Sequence, residues 1–160
     1  MDTRERARTT ARLLVSLARA GDFAGVSRIV RLLTEPSVPQ RDRLRQVMAE
    51  LLTAAATMVV RQTGGLGPNT AIVLDLRRAD GSTVDIDDLR PEVRAIVRAL
   101  LAQVHEHKAD VDTQIEFAMH GAADGLADGV SLVLLWTVSA MAWCEENDEP
   151  APGWLGATAA

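Results

Sequence analysis

Tyrosine is missing from this chain, lysine and cysteine occur once each (Lys108 and Cys144), and aromatic residues make up only 3% of its 160 positions. Each scarcity excludes something. With so few flat rings, an interior must be filled by Leu, Val, Ala and Met, which suit helices better than a β-sandwich. A lone cysteine rules out a disulfide framework within one chain, and inside an apolar run it reads as a small hydrophobe rather than a nucleophile. The patterns C-x-x-C, H-E-x-x-H, G-K-[ST] and the dinucleotide fingerprint are all absent, as is a Ser-His-Asp arrangement. No cofactor is therefore expected. The opening MDTRERARTT carries charge where a secretory leader needs an apolar core, which predicts a cytoplasmic protein. Arginine in place of lysine, with abundant alanine, fits a GC-rich bacterial genome.

What is present suits one packed domain: 48% of the residues are hydrophobic, in a chain long enough to bury most of its apolar surface. The net charge of −5 is unevenly spread. Residues 1–63 hold 11 arginines against 6 acids, a net of +5, while residues 64–160 hold 6 bases against 16 acids, a net of −10. Either the halves attract each other, within one fold or between copies, or the basic half faces an anionic partner.

The longest uncharged run is Gly129 to Cys144, GVSLVLLWTVSAMAWC, walled by Asp124 and Asp128 before it and by Glu145 and Glu146 after it. On a helix its apolar side chains fall on every face, which predicts a central helix over about 124–146, buried all round. The run is short for a bilayer span and has no basic flank, so no membrane association is expected. Trp136 and Trp143 lie seven residues apart and share a side with Gly129 and Ala140, large beside small, as close helix packing requires.

Before this run, apolar periodicity predicts helices over 3–20, 22–34, 38–62, 91–107 and 110–120. Asp22, Ser37 and Asp110 are the expected caps, with Ser37-Val38-Pro39-Gln40 giving a capping-box signature. Between 70 and 87 the period changes to two: Ile72, Leu74 and Leu76 alternate with polar or outward positions, Asp80-Gly81-Ser82 supplies a turn, and Val84 and Ile86 resume. This predicts one inserted β-hairpin, whose apolar face or free edge must be covered. The trio Asp85, Asp87 and Asp88 departs from a calcium loop and reads as helix-entry chemistry.

The expected fold is mainly α, with about six helices in two three-helix halves. One helical domain covers 1–149, its halves 1–63 and 88–149 joined by the hairpin at 70–87, and a loop-like tail covers 150–160. Because Trp154 in that tail is a poor candidate for solvent, it should fold back on a helix or enter a partner. The halves repeat one order of helix lengths with slight sequence identity.

Few residues invite chemistry. His105-Glu106-His107 looks like a ligand cluster, but two positions apart on a helix the rings point to different faces. Asp112, Glu116 and His120 share one stripe at i, i+4, i+8 and are weak candidates for a divalent ion in a metal-dependent enzyme. Arg4, Arg8, Arg12, Arg28, Arg31, Arg41, Arg43 and Arg45 are candidates for phosphate contact in a nucleic-acid-associated regulator. With no catalytic constellation in view, the leading expectation is a non-enzymatic protein-protein interaction or regulatory protein that forms homo-oligomers or binds another protein. Its interface candidates are Trp136, Trp143, Trp154, Ile72 and Leu74.

Overall fold

The structure, a computed structural model, describes residues 1–67, 75–78 and 80–156. Seven α-helices stand among the described residues: α1 (Thr3–Arg19), α2 (Phe23–Leu33), α3 (Val38–Gln62), α4 (Pro91–Val104), α5 (Lys108–Met119), α6 (Ala123–Glu146) and the single turn α7 (Gly153–Gly156). The starts follow from capping. Asp2 accepts from Glu5 N–H, Asp22 from Gly25 N–H and Ser37 from Gln40 N–H, each engaging one of the donors a first turn leaves free. Asp110 does not cap α5: His107 occupies that position without a side-chain bond, and Asp110 lies in the first turn. The chain gets there through Glu106, whose φ of 59° reverses the backbone after α4.

Two helices share the centre. α3 and α6 pack on each other, and each also packs on α1, α2, α4 and α5. On α3 the seam Leu44, Val47, Met48, Leu51, Leu52, Ala55 and Met58 is wholly buried. The i, i+3, i+4 spacing of these side chains gives one continuous apolar face. On α6 the buried set includes Gly129, Val130, Val133, Leu134, Thr137, Ala140, Met141 and Cys144, and Thr137 satisfies its hydroxyl by donating to the Val133 carbonyl. Gly129 allows a close approach, since a Cβ there would stand 3.0 Å from Cγ1 of Ile96 on α4.

Burial of α6 is not all-round, contrary to what its composition predicts. Leu135 is 51% exposed, Ser139 and Ala142 are exposed, and Leu132, Trp136 and Trp143 are half-buried. The surrounding helices cover the rest of its circumference and leave this stripe bare. By length and composition α6 is also able to cross a membrane: it has 24 residues, and its most apolar 18-residue window has a mean hydropathy of 1.5, with half of that window buried inside the structure.

The expected hairpin is not formed among the described residues. Arg77 and Thr83 make one isolated antiparallel bridge, supported by Val84 N–H to the Leu76 carbonyl at 2.8 Å and Arg78 N–H to the Ser82 carbonyl at 2.9 Å. The returning strand stops early because Asp85 accepts from Asp87 N–H at 2.9 Å and turns Ile86–Asp88 into a 3-10 turn. Local side-chain capping of this kind competes directly with a ladder. Ile72 and Leu74 lie outside the described residues. In the tail, α7 docks on α1: Leu155 is buried, the Arg8 guanidinium lies 5.4 Å from the Trp154 ring, and Arg12 donates to the Trp154 carbonyl at 3.2 Å.

Candidate functional site

The bare stripe of α6 is the site with the strongest physical signature. Asp128, Leu132, Leu135, Ser139, Ala142 and Glu146 recur at alternating spacings of four and three, which keeps them in line along a helix. Beside Leu132, Leu135 and Trp136 runs a groove of about 550 Å³, closed on its far side by Leu76, Val84, Leu89 and Val93. Its walls are mainly aliphatic, and the charges at its rim are already matched. Asp75 meets Arg77 at 2.8 Å, and Arg90 bridges Asp124 at 2.8 Å and Asp128 at 2.9 Å. The Arg90 hydrogen bond holds the Asp124 carboxyl below the usual carboxylate range, and that of Asp124 in turn lifts Arg90. Of the expected interface tryptophans, Trp136 lines this groove, Trp143 sits half-buried further along α6, and Trp154 is occupied by α1.

The arginines are dispersed and mostly engaged. Arg4 and Arg8 both donate to Glu50, at 2.9 and 2.8 Å. Arg12 holds the Trp154 carbonyl, Arg43 donates to the Thr10 hydroxyl at 3.2 Å, and Arg45 is clamped between Asp42 and Glu116, whose hydrogen bond raises it above its ordinary value. The side chains of Arg28, Arg31 and Arg41 have no charged or hydrogen-bonding partner among the described residues. Two ion pairs, Arg19 with Glu145 and Arg45 with Glu116, join the basic segment to the acidic one, so part of the charge asymmetry is met inside the chain.

The stripe Asp112, Glu116 and His120 is not gathered as a ligand set. Glu116 is held by Arg45, His120 Nδ1 lies 2.7 Å from the Glu116 backbone carbonyl, and Asp112 borders a different feature. Among the described residues no three His, Cys, Asp or Glu side chains come together as a metal cluster. His105 and His107 close α4 and open α5, with ring centroids 6.3 Å apart. Asp112 lines an open polar trough of about 490 Å³ with Arg4, Glu50, Glu106 and Lys108. That trough mixes both signs and contains no histidine, serine or cysteine. Cys144 is buried, and desolvation pushes its thiol up, away from the reactive thiolate. No buried side-chain nitrogen or oxygen among the described residues lacks a hydrogen-bond partner, so the core offers no stranded polar group to a ligand.

One residue outside the sequence reading organises the site from below. Glu92, in the first turn of α4, is 8% exposed and accepts from Ala122 N–H at 2.8 Å. It thereby caps α6, whose own N-cap residue, Ala122, has no side chain able to do so. The carboxylate fits because Gly121 and Gly125 lack a Cβ: one added there would stand 2.7 and 2.6 Å from Glu92 Cδ. The i, i+4, i+8 spacing of Gly121, Gly125 and Gly129 was the available signal for this approach. Likewise, the alternation of four and three from Asp128 to Glu146 was the signal for the bare stripe. Family models, curated proteins and solved structures were each compared with the chain, and none matches it.

Proposed function

We propose that this protein is a non-enzymatic interaction or regulatory protein of the cytoplasm that works by self-association. The observation that carries the reading is the apolar stripe and groove of α6. A Leu side chain releases roughly 1.5–3 kcal/mol on full burial, so half-exposed Leu135 leaves about half of that available to a partner. Exposed apolar surface that is continuous and rimmed by polar groups marks an interaction site more often than scattered single residues do. The rim is close to neutral, so a partner of either sign, including a copy of this acidic chain, meets no strong repulsion. Within the chain, α1 and α4 each pack on both central helices, which leaves the stripe of α6 as the side no helix covers.

Sedimentation velocity of the whole chain across a range of concentrations, at low and high salt, tests this. Association that persists at high salt is expected, because apolar burial is not screened. A monomer at every concentration and salt refutes it. A second reading, nucleic-acid association, is supported only by Arg28, Arg31 and Arg41, which lack partners among the described residues. It requires binding to a random duplex that steepens as salt falls and is lost when those three arginines become alanine. Metal-dependent catalysis at Asp112, Glu116 and His120 has no supporting geometry, and neither a cofactor nor a membrane enters the proposal.

A further inference from the structure

We propose that α6 pairs with α6 of a second copy in antiparallel register, about a twofold axis passing between Leu135 and Ser139. Leu132 then meets Ala142 of the second copy, and Leu135 meets its Ser139. The inference rests on self-association and adds the surface, the direction and the register.

The stripe is its own complement only when reversed. Asp128, Leu132, Leu135, Ser139, Ala142 and Glu146 are in line, all exposed except half-buried Leu132. Its amino-terminal part carries two leucines, and its carboxy-terminal part carries two small residues in mirrored positions. Laid parallel, leucine would face leucine and serine would face serine, leaving a bulge beside a gap. Laid antiparallel, each leucine faces a small residue, which lets the helices close to normal packing distance. A foreign partner would impose no such inversion on the sequence. A twofold contact between identical surfaces requires it, because every residue meets its counterpart's opposite number.

The charges at the ends are compatible with this register. Antiparallel pairing places Asp128 near Glu146 of the second copy, and Arg90 already lies 2.9 Å from Asp128 to offset that approach.

Sedimentation velocity on the full chain and four variants, each checked for helix content by circular dichroism, provides the test. Leu135→Glu sits at an exposed position and should fold, yet dissociate the assembly. Ala142→Leu should weaken association by about tenfold, the effect of one overpacked contact. Combining it with Leu132→Ala exchanges large and small across the pair, and should restore association to within a few-fold of the parent. Leu132→Ala alone serves as the control. Restoration by the double variant supports antiparallel pairing, since in a parallel register the two positions never meet. If the parent associates and Leu135→Glu associates equally well, this surface is wrong while self-association stands. If Leu135→Glu dissociates but the double variant is no better than Ala142→Leu, the register is overturned. A parent that remains monomeric removes both readings.

Discussion

Gly125→Ala is the most searching perturbation of this fold, because its sign depends on a residue in another helix. In an exposed helix, alanine is better than glycine by about 0.5–1 kcal/mol. At Gly125 the new Cβ would stand 2.6 Å from Glu92 Cδ, so the carboxylate must swing away. It then releases Ala122 N–H, a cap worth about 0.5–2 kcal/mol, and displaces the buried Glu92 carboxylate from its partner at a further cost of about 1–3 kcal/mol. Against the alanine gain, a net loss of about 1–3 kcal/mol is expected, and for a chain of this size that lowers Tm by roughly 3–10 °C. With Glu92→Ala already in place there is no carboxylate to displace. The same Gly125→Ala change should then stabilise by about 0.5–1 kcal/mol. Urea unfolding followed by circular dichroism on the parent, both single variants and the double variant closes the cycle. Equal effects of Gly125→Ala in the two backgrounds, or a gain in the parent, would show that Glu92 does not cap α6.

Three further outcomes are expected. Glu106→Gly should raise stability by about 1 kcal/mol in urea unfolding, because Glu106 holds a φ of 59° that a side chain disfavours; an unchanged midpoint would mean the αL position carries no strain. Cys144, whose thiol is raised by burial, should resist a maleimide at pH 8 in the folded chain and react fully in denaturant, as read by mass spectrometry. Asp124 is held below its ordinary carboxylate range by Arg90, so its contribution is present above the unfolded value near 3.8 and is lost as pH falls through the lower folded one. The stability gap between the parent and Arg90→Ala, measured at neutral pH, should therefore narrow in acid, and a gap that stays constant would refute the assignment.

How far the sequence could be read depended on how local the cause was. Asp22 and Ser37 cap helices through amides three residues away, and these starts were legible because the donor and acceptor are neighbours in the chain. The buried seam of α3 was legible for the same reason, since one period describes it. The cap on α6 was not, since it comes from Glu92 thirty residues earlier and shows in the sequence only as spaced glycines. The strand over Val84 and Ile86 was read from alternation, and a single Asp85 side chain ended it in a turn. In α6 composition misled: apolar residues on every face predicted burial on every face, yet the packing helices leave one line of positions open. Among the candidate site residues, Trp136 lines the groove, whereas the eight arginines, alike in sequence, were separated by which carboxylates and carbonyls the fold brought to them.

The docking of α7 on α1 ties together two segments 142 residues apart in the chain, the second made after the first. While the intervening helices are still on the ribosome, the side of α1 that receives Leu155 and Trp154 has no cover. A chain cut before residue 153 would accordingly present that strip to chaperones, and Arg8 and Arg12 would lack their contacts with Trp154.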